Sequence, residues 1–140
     1  MPWIQREMRL TKYPRGFHLI TEQVTRAIPE IAHIKTGILQ VFIKHSSASV
    51  FLNENADPTV RHDFERHTNV MVPENAPYYK HTYEGADDMP AHIKAALYGS
   101  SVQIPITHGS LNLGIWQGIY LGEHRDHASA RRLVLTAYGE

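Results

Sequence analysis

The 140-residue sequence contains no cysteine, which excludes disulfide bonds and thiolate metal ligands. It has no apolar run near the ~18 residues that a membrane-spanning helix needs. A basic, apolar and small-residue secretion signal is also missing from its start, so we expect a cytoplasmic protein with no membrane partner. Neither charge sign is in excess, with 14 Lys and Arg against 14 Asp and Glu. No basic excess indicates a nucleic-acid-binding surface, so we expect no nucleic-acid partner.

Histidine is the chemically active residue that the chain has in quantity, with ten copies. In the absence of cysteine, a metal ion would have to be held by imidazole, carboxylate, amide or backbone oxygen ligands. Places where histidine lies beside carboxylates are therefore the first candidates for a functional site.

Short apolar runs separated by turn residues predict mostly strands, at 3–10 (an edge strand), 15–20, 37–44, 49–53, 101–107, 115–124 and 131–138. The run 37–44 is apolar almost throughout, which is typical of a strand buried on both faces. Helices are predicted after a Thr21 cap, after the favoured Asp57-Pro58 start, and from Pro90 to Leu97. The pattern predicts an α+β fold: a two-layer, largely antiparallel β-sandwich with two or three helices at its edges.

The segment from His81 to His92 holds two imidazoles and three carboxylates among small and turn-forming residues. If Pro90 begins a helix, the His92 ring lies in its first turn and can swing back over the preceding loop toward His81. The two rings would form half of a divalent-metal site, with Asp88 as a ligand or base. A capped helix start with surface histidines explains the same pattern equally well.

The polar stretch His45-Ser-Ser-Ala-Ser49 follows the 37–44 strand. Its hydroxyls and backbone N–H groups suit a phosphate cradle, and a nucleophilic Ser–His pair is a second interpretation. Alternation along a strand places Ser47, and not Ser46, on the same side as His45. A plain polar turn between two strands explains the cluster as well.

A third cluster runs from Asn53 to Asp57 and carries four oxygen-bearing side chains, which suit a hard cation such as Mg²⁺. Asp57 is more simply a helix cap, which leaves Glu54 as the candidate carboxylate of this cluster.

A fourth cluster, from Gly122 to His127, offers His124 as a third imidazole. Three histidines would complete an open tetrahedral metal site, with water as the fourth ligand. Arg125 could bind a phosphate or a carboxylate through two parallel hydrogen bonds. A charged hairpin turn is the alternative explanation.

Taken in order, several motifs of this chain resemble the YjbQ-type family: His45-Ser-Ser-Ala-Ser49, residues 53–63, residues 83–94, Gly114-Ile-Trp-Gln-Gly118 and Gly122-Glu-His-Arg125. The resemblance covers nearly the whole chain. One departure is Ile115, which stands where the family usually has threonine.

The resemblance implies one YjbQ-like domain over residues 1–140, an α+β sandwich that assembles as a homotrimer, and a weak, secondary thiamine-phosphate synthase activity. That reaction joins a pyrimidine diphosphate to a thiazole phosphate and releases pyrophosphate, so it needs a cation and cationic side chains near the departing group. The candidate residues are Asp88, His45 and Glu54 for catalysis, Ser47, Ser49, Arg125 and Lys94 for the substrate, and His81, His92 and His124 for a divalent metal, zinc or magnesium.

Our hypothesis from the sequence is therefore a metal-assisted enzyme acting on a phosphorylated small molecule. The alternatives are a non-catalytic homotrimeric protein that binds a phosphorylated metabolite, and an oligomeric scaffold whose polar loops line subunit contacts.

Overall fold

The computed structural model describes residues 3–140. The strands are β1 (Trp3–Arg9), β2 (Gly16–Leu19), β3 (Thr36–Ile43), β4 (Ala48–Glu54), β5 (Ser101–Thr107), β6 (Ser110–Leu111), β7 (Gln117–Glu123) and β8 (Arg132–Gly139). The helices are α1 (Thr21–Ala27), α2 (Pro58–Met71) and α3 (Asp88–Tyr98), with one turn of 3₁₀ helix at Pro29–His33.

Within these residues the strands form two antiparallel sheets. The larger has the order β1-β8-β3-β5-β6, and the smaller has the order β2-β7-β4. The predicted α+β fold with two largely antiparallel layers is confirmed, and β1 lies at an edge as expected.

Strand β3 shows which way the large sheet faces. Leu39, Val41 and Ile43 are buried in the core, whereas Ile38 and Phe42 on the opposite face are 49% and 40% exposed. The prediction that this strand is buried on both faces is wrong, because an antiparallel sheet needs to cover only one of its faces.

The first two helices differ in how they begin. Asp57 caps α2 as predicted, since its Oδ1 accepts a hydrogen bond of 2.9 Å from the N–H of Thr59. Thr21 does not cap α1; its Oγ1 instead accepts the N–H of Ile119 in β7 at 2.9 Å. Within residues 3–140, no helix has the length and apolarity needed to cross a membrane.

Helix α3 positions the candidate site. It begins at Asp88, two residues before the predicted start at Pro90, and ends at Tyr98, followed by Gly99, whose φ of 107° favours glycine. Because the helix starts at Asp88, His92 lies one turn further along the same face.

Candidate metal centre

The side chains of His81, Asp88 and His92 meet at the start of α3. The Nε2 atoms of His81 and His92 lie 2.6 Å and 3.1 Å from Oδ2 of Asp88. One ligand-type atom from each side chain lies within 4.8 Å of the other two. Asp88 is buried, whereas both imidazoles are partly exposed. The site therefore has a buried carboxylate at its base and two imidazoles at its mouth.

Local structure explains how the loop brings His81 back to Asp88. Gly85 has a φ of 105°, a conformation that favours glycine, and its carbonyl accepts the N–H of Asp88 at 3.3 Å. The chain thus turns sharply between His81 and the helix.

A backbone carbonyl fixes the orientation of the His92 ring. Its Nδ1 lies 2.9 Å from the carbonyl oxygen of Ser46, which can only accept a hydrogen bond. Nδ1 must therefore carry a proton, and Nε2, which faces Asp88, is left to bind either a second proton or a metal ion. Metal-binding histidines commonly donate their other ring N–H to a carbonyl in this way.

Arg125 holds the carboxylate from the opposite side. Its Nη1 donates to Oδ1 of Asp88 at 2.5 Å, its Nε donates to Oδ2 of Asp87 at 2.8 Å, and its Nη2 donates to the carbonyl of Glu84 at 2.9 Å. These bonds engage Oδ1 of Asp88 and leave Oδ2 pointing at the imidazoles.

The electrostatics of the centre favour a cation. Burial raises the pKa of Asp88, but the hydrogen bond from His81 and the charges of His92 and Arg125 outweigh it, so the pKa lies below its ordinary value. Burial also opposes ionisation of Asp87, and the N–H of Asp126 together with Arg125 again lowers the pKa. Asp87 and Asp88 carry two negative charges and Arg125 carries one positive charge, so the centre has a net negative charge whenever both imidazoles are neutral.

Pairing of β4 with β7 brings these distant segments together. Ala48 lies opposite Glu123 in the register, so the residues just before β4 come beside the residues just after β7. Ser46 and Arg125 consequently reach the start of α3 from two different loops.

The structure places His124 elsewhere, in an aromatic pocket beside Phe17 and Tyr98. Its Nε2 lies 2.8 Å from Oγ of Ser49, and both residues are buried. Burial, followed by the positive charges of Lys94 and Arg131, lowers the pKa of His124 to about 3. The structure thus joins the predicted ligand His124 to the predicted substrate residue Ser49, and puts Asp88 beside the other two histidines.

Lys94 and Ser47, both predicted substrate ligands, also lie inside the protein. Lys94 is fully buried and its Nζ donates to Oδ1 of Asn69 at 2.7 Å. Burial and the nearby charge of Arg15 lower the pKa of the lysine. Ser47 is buried, and its carbonyl accepts a hydrogen bond from Arg131.

Glu54 lies at the far end of β4 from Ser46, roughly 20 Å along the strand at ~3.3 Å per residue. Its Oε1 accepts the N–H groups of Ala56 and Asp57 at 2.8 Å and 3.0 Å. Its carboxylate therefore stabilises the turn that leads into α2.

His45 does come close to the centre. Its Nε2 accepts the N–H of Arg132 at 2.9 Å, and the ring shares the wall of one cleft with His92. Burial and the charge of Arg131 lower the pKa of His45, and the bond from Arg132 to Nε2 requires that this nitrogen carry no proton.

Two parts of this centre were missed by reasoning from the sequence. One is the carbonyl of Ser46, because a backbone carbonyl gives no side-chain signal. The other is the contact between Arg125 and Asp88, which are 37 residues apart; a carboxylate was among the partners expected for Arg125, but nothing in the sequence indicated which one.

Comparison with known proteins places the chain among relatives of unassigned function. A family model described as UPF0047 protein YjbQ-like matches residues 6–140. The UPF0047 protein YjbQ of Salmonella typhimurium is 51% identical over 138 residues, which cover 99% of each chain. A YjbQ/UPF0047 family protein of Clostridium acetobutylicum has a crystal structure with a TM-score of 0.79 at 39% identity, covering 94% of this chain and 97% of that one.

A Sulfolobus solfataricus structure described as a YbjQ-like protein of unknown function has a TM-score of 0.87 at 24% identity, with 99% of each chain covered. That likeness shows the shared fold.

Proposed function

We propose that this chain, which belongs to the YjbQ-like UPF0047 family, is a metal-assisted enzyme that acts on a phosphorylated small molecule. In this proposal residues 1–140 form one domain. The observation that carries this proposal is the triad of His81, Asp88 and His92, whose ligand atoms lie within 4.8 Å of one another. Two of these three ligands are already held in orientation, His92 by the carbonyl of Ser46 and Asp88 by Arg125.

The donor set favours Zn²⁺ over Mg²⁺. Two imidazole nitrogens and one carboxylate suit zinc and related transition metals, whereas magnesium prefers oxygen ligands. Three protein ligands with partly exposed imidazoles leave a position open toward solvent, as in catalytic zinc sites. When bound there, a divalent cation would neutralise phosphate oxygens and a departing pyrophosphate.

The resemblance to the YjbQ-type family supports thiamine-phosphate synthase as a secondary activity of this site. In this proposal His81, Asp88 and His92 hold the metal and His45 contacts the substrate. Arg125 acts by orienting Asp88, since three of its nitrogen atoms are already bonded to protein oxygens.

The second candidate is a non-catalytic homotrimer that holds a phosphorylated metabolite at the same centre. It is favoured by the burial of Lys94, Ser49 and His124, which leaves few side chains free to transfer protons to a substrate. Turnover separates the candidates: product formation that is lost in Asp88→Asn supports the enzyme, and stabilisation by phosphorylated ligands without turnover supports the binding protein.

Metal content is the direct test of the centre. We expect purified protein to bind Zn²⁺ in a calorimetric titration with one ion per chain, and His81→Ala, His92→Ala and Asp88→Asn each to abolish binding. Arg125→Lys keeps the positive charge but loses the forked geometry, so its affinity should fall by about 10–100-fold.

His62→Ala is the matched control, because His62 also lies beside a carboxylate, Asp63 at 3.2 Å, but on the exposed side of α2. This variant should bind zinc as the parent protein does. Equal zinc binding in the parent protein and in both His81→Ala and His92→Ala, or no binding by the parent protein, would contradict the metal centre.

A further inference from the structure

A cleft of about 330 Å³ adjoins the metal centre on the His92 side. Its lining consists of His45, Ser46, Ala48, His92, Ala95, Ala96, Gly99 and Ser100. The volume is within the range of small-molecule sites. His92 belongs to both the cleft and the triad, so a ligand in the cleft would lie directly beside a bound metal ion.

The lining has no permanently charged side chain. It contains no lysine, arginine, aspartate or glutamate, and both nitrogens of His92 face other protein groups, the Ser46 carbonyl and Asp88. The lining offers a phosphate no lysine or arginine to pair with, so a phosphate that gave up hydration there would not be compensated by an ion pair. The charged part of a substrate is thereby directed to the metal centre, and the cleft suits a neutral part.

His45 supplies a hydrogen-bond donor of fixed direction. The N–H of Arg132 donates to its Nε2, so the neutral ring must carry its proton on Nδ1. Among residues 3–140, no protein group bonds to Nδ1, so its N–H can donate a hydrogen bond to a ligand. The ring is held in place as well, because the neighbouring Lys44 N–H donates to the Arg132 carbonyl at 3.1 Å. The imidazole thus continues the ladder between β3 and β8.

Small side chains form the rest of the lining. Ala48, Ala95, Ala96 and Gly99 add methyl groups and backbone but nothing that projects far, so the lining leaves room for a flat ring. Ser46 and Ser100 add hydroxyls that can either donate or accept.

We propose that this cleft binds the uncharged, planar part of the substrate, with the Nδ1–H of His45 donating a hydrogen bond to a ring nitrogen or carbonyl oxygen. The phosphate of the same substrate then lies at the metal centre. This inference rests on the proposed function for the phosphate, but the cleft itself can be tested without any metal.

The experiment uses metal-free, full-length protein and two matched pairs of probes: nicotinamide with nicotinate, and uracil with orotate. Each pair shares a ring and differs in a carboxylate. Ligand-observed NMR titrations should show both neutral probes binding, and the carboxylate partner of each binding at least about tenfold more weakly, because the cleft offers it no counter-charge.

Two substitutions to phenylalanine on α3 provide a matched control. Ala96→Phe fills the cleft and should abolish binding of both neutral probes. Leu97→Phe adds bulk at the next position, which is exposed and does not line the cleft, and should leave binding unchanged. His45→Gln keeps an amide that can accept from Arg132, and should weaken binding by about fivefold through the loss of a well-placed donor.

Binding of nicotinate or orotate as tight as that of its neutral partner would overturn the proposal. So would failure of both neutral probes to bind, or unchanged binding in an Ala96→Phe protein whose thermal melting matches the parent. Zinc titration of the same samples reports on the triad separately, so loss of the metal centre and loss of the cleft are distinguishable.

Discussion

His124 is the residue whose chemistry the fold changes most. It is buried among aromatic rings, and its Nδ1 has no hydrogen-bond partner within residues 3–140. A proton added to this ring would lie in a low-dielectric pocket near the charges of Lys94 and Arg131, which is why its pKa is lowered from 6.5 to about 3. The ring is therefore neutral in the folded protein at any physiological pH.

This pKa shift predicts a loss of stability in mild acid. Below about pH 6.5 the unfolded chain binds a proton that the folded chain refuses until about pH 3. The free energy of unfolding should thus fall as pH falls through that window, by up to about 1.4 kcal/mol per pH unit from this residue. In urea denaturation between about pH 7 and about pH 4.5, His124→Gln should show a shallower pH slope than the parent protein.

The denaturation series stops at about pH 4.5 so that the titration of two aspartates does not contribute to the measured slope. Asp87 and Asp88 have pKa values below the ordinary 3.8, and the stability they contribute is lost only as pH falls below that value. His33→Gln, at an exposed position, is the control and should keep the parent slope. A His124→Gln slope equal to that of the parent would show that the buried ring does not resist protonation.

Single residues also show how far the sequence anticipates the centre. His81, His92 and Asp88 were predicted from their spacing around a helix start, because that spacing is local. The placement of Lys94 inside the protein was not predicted, since burial of a lysine depends on partners such as Asn69 from another helix.

At the scale of elements, two of the three helix starts differ from the predictions. The sequence predicts that α3 starts at Pro90, but a proline fits any position of the first turn, where its missing N–H has no partner to lose. Threonine is common at helix caps, which predicts Thr21 as the cap of α1, yet its hydroxyl accepts a hydrogen bond from β7. Local rules identified the three helices and seven of the strands within a few residues but missed the 3₁₀ turn and β6, and tertiary contacts decided where each element ends.

The hydrogen bond from the Ile119 N–H in β7 to the Thr21 hydroxyl predicts that removing this hydroxyl lowers the stability of the protein. Ile119 is fully buried, so Thr21→Val would leave its N–H without an acceptor in an apolar setting. The free energy of unfolding in urea should fall by about 1–3 kcal/mol.

Thr25→Val is the matched control within the same helix. Its hydroxyl donates to the carbonyl of Glu22, one turn earlier, and that carbonyl lies at an exposed residue. The control should change stability by less than about 0.5 kcal/mol. Equal losses in the two variants would mean that the link between α1 and β7 adds nothing beyond ordinary helix effects.

At the scale of the whole molecule, the metal centre depends on sheet pairing that no local pattern specifies. Short apolar runs predicted that β4 and β7 exist, but no local pattern predicted their register, with Ala48 opposite Glu123. That register alone brings the Ser46 link and the Arg125 loop to the start of α3. The sequence therefore revealed which segments carry chemistry, and the topology determined which of them meet.

A buried ion pair lies where the two sheets join. Glu123 ends β7 of the small sheet, and Arg131 precedes β8 of the large sheet. Arg131 donates to the two carboxylate oxygens of Glu123 at 2.7 Å and 2.6 Å, and to the carbonyl of Ser47 at 3.2 Å. The pair thus ties three chain segments together, including the link between β3 and β4.

Breaking this pair from one side should be costly, because the remaining charge is left buried without a partner. We expect Glu123→Leu and Arg131→Met each to lower the free energy of unfolding by about 3–5 kcal/mol, and the double variant with both substitutions to lose much less than the sum. Urea denaturation of the parent, both single variants and the double variant measures this coupling.

Lys44→Met is the control: it removes an exposed ion pair with Glu7 and should have little effect on the free energy of unfolding. Additive losses in the double variant would show that the two side chains act independently, and that the sheets are joined by the apolar core instead.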